Sequence, residues 1–125
     1  MATENPKIQP VPVPAQLPAM PIEPVELIQE GNPEARGAVL NQSAGKRLSS
    51  GVWSCTAGKF KWRYTWDEFV QIIEGEVVIT EVGGVSHTLN PGDCAHFPKG
   101  LHVHWNVMKN VRQLFVLSTD EPLAI

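Results

Sequence analysis

Residues 60–75, F-K-W-R-Y-T-W-D-E-F-V-Q-I-I-E-G, decide the fold of this chain. In residues 60–64 aromatic and basic residues alternate, as they do in a β-strand with two different faces. Residues 69–73 are a mostly apolar, β-prone run, and Glu74-Gly75 predicts a turn after it. The stretch therefore predicts two strands separated by a bend near Thr65-Trp66.

Residues 37–117 continue this pattern of short apolar segments separated by turns rich in Gly and Pro. No segment there repeats its apolar residues at the 3.6-residue period of a helix. Gly83-Gly84 is typical of a tight hairpin turn, and Asn90-Pro91-Gly92-Asp93 is a second turn signal. Many short strands of this kind predict an all-β sandwich or barrel. The predicted strands are 38–41, 48–56, 60–64, 69–73, 76–82, 87–89, 94–97, 102–107 and 111–117.

The composition is that of one ordinary globular domain. The chain has 125 residues, of which 42% are hydrophobic and 18% charged, and its net charge is −3. The acidic balance argues against a nucleic-acid partner. Because no apolar run could span a membrane and no secretory signal is visible, we expect a cytoplasmic protein without a membrane partner. In a reducing cytosol Cys55 and Cys94 are expected to be buried or half-buried thiols, and a disulfide between them stays open.

The N-terminal segment is distinguished by its proline content. Seven of the 11 prolines lie between Pro6 and Pro24, where they exclude a helix or a central strand and favour an extended arm. Two interpretations are open: a mobile arm, or an arm packed along a neighbouring subunit through residues such as Leu17 and Ile22. The chain is therefore divided into an arm with its lead-in at 1–36, a β-barrel at 37–120 and a tail at 121–125.

A first spaced motif lies in the stretch that decides the fold. Glu68 is followed by six residues and then Gly75, which is the end of the pattern G-x5-H-x-H-x3-E-x6-G. Counting back from Glu68, the two histidine positions of this pattern are occupied by Trp62 and Tyr64. The carboxylate is thus kept, while both imidazoles are replaced by aromatic side chains.

A second motif follows downstream, where Gly92, Pro98 and Gly100 have the spacing of G-x5-P-x-G-x2-H-x3-N. Its histidine position is occupied by Val103. Together with G-V-W-S-C-T-A-G-K-F at 51–60, the two motifs resemble the cupin superfamily, and more narrowly its small single-domain ureidoglycine aminohydrolase-like members. The resemblance implies a double-stranded jelly-roll barrel and, because cupins commonly pair through their sheets, a homodimer.

The resemblance also implies which residues would hold a metal. Ordinary cupins bind a transition metal through three His and one Glu, and three of those four positions here are Trp62, Tyr64 and Val103. An indole offers only an N–H donor and Val offers no ligand atom, so we expect neither the standard metal site nor another cofactor.

The histidines leave a less favoured alternative, a divalent transition metal held by two or more of His96, His102 and His104. His102 and His104 share one face of a strand. An alignment with Val103 and Trp105 inward places both imidazoles outside the barrel, whereas a shift by one residue would bring His102 inward. We prefer the first alignment, because it gives Trp105 the inward position that is usual in this subfamily.

We therefore expect a barrel pocket of a different kind. Trp62, Tyr64 and Glu68 would face one cavity, where the two aromatic donors and the carboxylate either bind a small ligand or simply fill the barrel. In the second case Glu68 would be hydrogen-bonded to Tyr64 or Trp62, because a buried unpaired carboxylate is costly. The predicted pocket consists of Trp62, Tyr64, Glu68, Val103, Trp105 and, at the rim, Lys99.

Two functions of different classes follow from this pocket. The first is a small-molecule-binding cupin of unknown ligand, without the usual metal. The second is an enzyme, a hydrolase, aminohydrolase or isomerase acting on a small polar or nitrogenous metabolite. In the enzyme Glu68 would be the acid or base and Tyr64 a proton donor.

Overall fold

The computed structural model describes residues 6–124, so residues 1–5 of the predicted arm and residue 125 of the predicted tail lie outside it. This part of the chain contains one short 3-10 helix, Val25–Leu27, and eight strands whose named pairings are all antiparallel. The predicted all-β fold is confirmed. The strands are β1 (Ile28–Gly31), β2 (Ala35–Gln42), β3 (Leu48–Cys55), β4 (Gly58–Arg63), β5 (Asp67–Glu81), β6 (Ser86–Leu89), β7 (Cys94–Phe97) and β8 (His102–Ser118).

The long strands β5 and β8 form the centre of a jelly-roll barrel. They pair with each other from Asp67↔Ser118 to Glu81↔Val103. The other edge of β5 pairs first with β7 and then with β6, and the other edge of β8 pairs first with β4 and then with β3. Strands β1 and β2 extend this arrangement beside β4 and β3. Each half of the β5–β8 pair therefore belongs to a different side of the curled sheet.

The predicted turn at Glu74-Gly75 is wrong, because β5 continues through it. The register with β8 shifts at Glu74 and Glu76, and Gly75 has φ +88°. A Cβ on Gly75 would lie 2.2 Å from the carbonyl oxygen of Asn110, so only glycine fits this crossing of two strands. Gly75 therefore forms a bulge within a strand instead of the predicted turn. The strands predicted separately at 69–73 and 76–82 are parts of the single strand β5. Strand β8 likewise joins 102–107 to 111–117.

The lead-in to the barrel contains strands that the sequence pattern did not indicate. Strand β1 pairs with β4, and β2 begins at Ala35 rather than near residue 38. The hairpin predicted at Gly83-Gly84 is confirmed, since the Glu81 amide donates to the Val85 carbonyl (3.0 Å) where β5 turns into β6.

The arm packs on its own barrel from Leu17 onward, an arrangement that neither of the two sequence interpretations describes. Leu17 and Ile22 are 4% and 8% exposed. The Gly37 amide donates to the Pro18 carbonyl (3.0 Å), and the Met20 amide donates to the Ala35 carbonyl (2.9 Å). Apolar burial and these two backbone bonds together hold the arm beside β2.

The inward residues of the strands form one hydrophobic core, in which Val70, Ile72, Val77 and Val103 are almost completely buried. Cys55 and Cys94 are free thiols, so the disulfide left open by the sequence does not form. Cys55 is buried as expected, and burial raises its pKa to about 12, whereas Cys94 is exposed at the start of β7, contrary to expectation. Among the described residues, no helix has the length and apolar character needed to cross a membrane.

Candidate functional site

One end of the barrel holds an open cavity of about 290 Å³ whose wall is mainly aromatic. All four tryptophans and the single tyrosine of the chain contribute to it. Trp53, Trp62 and Trp105 take inward positions through the two-residue period of their strands, whereas Tyr64 and Trp66 lie in the bend between β4 and β5. The lining consists of Met20, Pro21, Ile22, Val39, Trp53, Phe60, Trp62, Tyr64, Trp66, Glu68, Trp105, Gln113, Phe115, Leu117 and Leu123.

Strand β4 and the bend after it bring three of the sequence-predicted residues to this cavity. Trp62 and Tyr64 are two residues apart, and Glu68 enters from the beginning of β5. Trp105 joins them from β8, where it pairs with Phe60. The structure therefore brings these four side chains to the wall of the same cavity.

Tyr64 is fixed on two sides. The Trp105 Nε1–H donates to the Tyr64 hydroxyl (3.2 Å), and the Tyr64 ring stacks on Phe97 with centroids 4.6 Å apart. Burial, and then the negative charge of Glu68, raise the pKa of Tyr64 well above 10, against the opposing effect of the Trp105 bond. Because its oxygen already accepts, the neutral phenol keeps its O–H proton for donation.

Glu68 has a different partner from the ones predicted. The Trp66 Nε1–H donates to Glu68 Oε1 (2.9 Å), and neither Tyr64 nor Trp62 bonds to the carboxyl group. The reason is local, since Trp66 lies two residues before Glu68 and both side chains lie on the inner face where β5 begins. Burial raises the pKa of Glu68 from 4.5 to about 7, and the bond from Trp66 opposes that rise.

Gln113 is the member of the site that the sequence analysis missed. It lies on β8, is 3% exposed and lines the cavity, yet its Oε1 atom has no hydrogen-bond partner among the described residues. The signal was present in V-R-Q-L-F at 111–115, where alternation with Val111 and Phe115 places a polar amide on the inward face. A buried unpaired amide oxygen is uncommon enough in proteins to require an explanation.

Two predicted pocket residues lie elsewhere. Val103 is 1% exposed, which confirms its inward orientation, but it packs in the core instead of lining the cavity. Lys99 is not at the cavity rim, because its ammonium group pairs with Asp120 while its backbone amide donates to Asp67 Oδ1 (2.9 Å). The bond to Asp120 raises the pKa of Lys99.

The two ends of the chain complete the cavity wall. Met20, Pro21 and Ile22 come from the arm, and Leu123 comes from the tail. The Leu123 carbonyl accepts from Gln42 Nε2 (3.1 Å), which holds the tail near the barrel. Sequence motifs could not indicate these residues, since both segments lie outside the motif region.

Comparison with known proteins supports the same fold. The family model of the EutQ-like cupin domain matches residues 42–115. The chain belongs to the EutQ-like cupin family. A comparison with curated proteins gives no match.

Among solved structures, this cupin is similar to a Thermotoga maritima protein of the DUF861 family, with 34% identity over 51% of this chain and 73% of that one (TM-score 0.50). A Pseudomonas syringae protein of unknown function, also of the DUF861 family, is 25% identical over 83% of this chain, with a TM-score of 0.75. This chain spans 45% of the Pseudomonas protein, less than half its length. The Clostridium difficile EutQ protein, at 22% identity over 70% of this chain and 69% of that one (TM-score 0.63), shows the fold alone.

The donor set of the cupin does not fit the metal that its motifs imply. Of the four ligand positions, Trp62 and Val103 offer no ligand atom, which leaves the Tyr64 phenol and the Glu68 carboxyl. Within residues 6–124 no three His, Cys, Asp or Glu side chains are grouped as a metal site would require.

The alternative histidine site is not assembled either. His102 is exposed, which agrees with the alignment that places Val103 inward, and His104 is half-buried beside Gln29, whose Oε1 lies 3.0 Å from its Nδ1. His96 lies on β7 with its Nε2 4.0 Å from Asp67 Oδ1. The sequence prediction of an outer position for both β8 histidines is therefore confirmed.

Proposed function

We propose that this EutQ-like cupin binds a small organic molecule in the cavity between Trp62, Glu68 and Gln113. The observation that carries the proposal is the unpaired Oε1 of Gln113, a buried acceptor on a side chain that lines the cavity. Leaving such a group unpaired costs about 1–3 kcal/mol, which a ligand with an N–H or O–H group would recover. If the inward side chains only filled the barrel, an apolar residue would be expected at position 113 instead of an amide.

The remaining groups define the chemistry of the ligand. Its body should be apolar or aromatic, because indole and phenyl rings form most of the wall. Its polar end should donate a hydrogen bond to Gln113 and meet the Glu68 carboxyl group, whose Oε1 is already bonded to Trp66. The Tyr64 O–H can donate to an acceptor on the same molecule.

Acid–base catalysis is the second candidate, and the state of Glu68 favours it. A carboxyl group with a pKa of about 7 can both give and take a proton near neutral pH. A hydrolase, aminohydrolase or isomerase reaction on a small polar or nitrogenous metabolite, as the ureidoglycine aminohydrolase-like resemblance suggests, would use Glu68 as the acid or base. Tyr64 would be the neutral proton donor.

The proposal can be tested by titrating the protein with a panel of small amides, amines and carboxylic acids while recording tryptophan fluorescence and thermal stability. Because every tryptophan lines the cavity, a bound molecule should change the emission. Gln113→Leu should lower the affinity for a compound that binds the parent protein, whereas His102→Ala on the outer face should leave that affinity unchanged. If no compound changes the emission, or if Gln113→Leu binds as well as the parent, the proposal fails.

The same panel separates binding from catalysis. For an enzyme, Glu68→Gln should abolish turnover of the bound compound while the fold stays intact and binding persists. For a binding module, no compound is converted by either form, and Glu68→Gln changes only affinity. The homodimer and the cytoplasmic location stay predictions, the first of which sedimentation would check.

A further inference from the structure

The outer face of the barrel carries a row of polar residues that the cavity does not use. Arg36 on β2 pairs with Ser54 on β3, and Ser54 pairs with Arg112 on β8. Their neighbours Trp53 and Gln113 point inward to the cavity, so alternation directs the row outward. Neighbouring strands are about 4.8 Å apart, so the Cα atoms of the two arginines, which lie two strands apart, are separated by roughly 10 Å. At this separation both guanidinium groups can reach the same small group.

A pocket of about 320 Å³ lies over this row. Its walls are Arg36, Ser54 and Arg112 on the sheet side and residues 15–17 of the arm on the other side. The Arg36 Nη1–H donates to the Leu17 carbonyl (3.1 Å), and Leu17 is itself buried, so one guanidinium is held in place. The site is therefore a walled depression, not a flat stretch of surface.

The charges in the pocket are not balanced by the protein. Neither arginine forms an ion pair with a described carboxylate, although the chain has 13 acidic residues and only 10 basic ones. The acidic residue in register with Arg112 is Glu74 on β5, and no pair within 4.0 Å forms between them. Two cations placed together without a counter-charge oppose folding, and an anion between them would remove that cost.

We propose that Arg36, Ser54 and Arg112 form a binding site for a phosphate group. A guanidinium presents a planar fork of N–H donors that matches the oxygens of a phosphate, and the serine hydroxyl can add a further bond. The phosphate group could belong to inorganic phosphate or to a phosphorylated small molecule. This site lies on the opposite face of β3 and β8 from the cavity and stands independently of the proposed function.

The experiment is calorimetric titration of the full chain at low ionic strength with inorganic phosphate and, separately, with glycerol phosphate. Arg112→Gln should weaken phosphate binding by at least about tenfold, since it removes a charge-assisted fork. Lys109→Gln is the matched control, because it removes the same charge from exposed β8 surface and should leave the affinity nearly unchanged. Tighter binding of glycerol phosphate than of inorganic phosphate would identify an organic phosphate as the ligand.

Two further variants keep the result decisive if Arg112→Gln folds poorly. Ser54→Ala should weaken phosphate binding without loss of charge, and Glu74→Gln should strengthen it by removing the negative charge in register with Arg112. The proposal is overturned if Lys109→Gln weakens binding as much as the pocket variants do. It is equally overturned if chloride at the same ionic strength gives the same heat as phosphate.

Discussion

The cavity is contacted by two polar side chains whose surroundings differ, Glu68 where β5 begins and Gln113 within β8. Glu68 receives a bond from Trp66, two residues away in the chain. Gln113 Oε1 is buried without any partner in the described part of the protein. The difference teaches that a polar group with a local partner can be structural, whereas a buried one without a partner requires an explanation, which the proposed ligand would supply.

The largest expected effect concerns the protonation of Glu68. Because its pKa is about 7 in the folded protein and 4.5 otherwise, the folded state binds more protons between these values. The free energy of unfolding should therefore fall by roughly 3 kcal/mol as pH rises through this window, and stay low above it. Urea unfolding of the parent and of Glu68→Gln at pH 4.5 and pH 7.5 measures the difference between them.

Glu68→Gln is the appropriate reference because the amide keeps the shape of the side chain and does not titrate. All other carboxyl groups contribute equally to both proteins. If the parent and Glu68→Gln differ in stability by the same amount at both pH values, Glu68 titrates like an ordinary solvated carboxyl group. The difference in surroundings between Glu68 and Gln113 would then not hold.

A smaller effect is expected at Gln113. Replacement by Leu removes the unpaired oxygen and keeps a similar volume, so the ligand-free protein should gain about 1–2 kcal/mol in the free energy of unfolding. Gln71→Leu on the exposed face of β5 is the control and should change stability by less than about 0.5 kcal/mol. A loss of stability in Gln113→Leu would mean that the amide is satisfied, and that the cavity lacks the feature that suggests a ligand.

The smallest effect tests the partner of Glu68. Trp66→Phe keeps an aromatic ring but removes the N–H donor, so the pKa of Glu68 should rise further and stability above that pKa should fall by about 1 kcal/mol. Carbon NMR of the Glu68 carboxyl group follows the titration. Trp62→Phe is the matched control, because Trp62 lines the same cavity without bonding to Glu68. Equal shifts in both variants would show that the Trp66 bond does not tune the carboxyl group.

The sequence predicted the barrel, the inward positions of Val103 and Trp105, and the meeting of Trp62, Tyr64 and Glu68 at one cavity. It did so because strand alternation is local and the motif spacing preserves the family pattern. It failed at Gly75, because a glycine is compatible with both a turn and a bulge. The bulge is specified by the close approach of the Asn110 backbone on β8, which lies far away in the sequence. The partner of Glu68 was also missed. Which aromatic side chain bonds to the carboxyl group depends on side-chain rotamers, and the sequence does not specify these.

By itself, then, the sequence determined the all-β barrel, the cupin superfamily and the aromatic and acidic character of one wall of the cavity. Only the tertiary structure decided that Gln113 Oε1 has no partner among the described residues, that arm and tail complete the cavity wall, and that Arg36 and Arg112 lie on either side of Ser54. Each of these depends on the register of strands far apart in the chain, and register is set by the packing of the whole barrel rather than by any short segment.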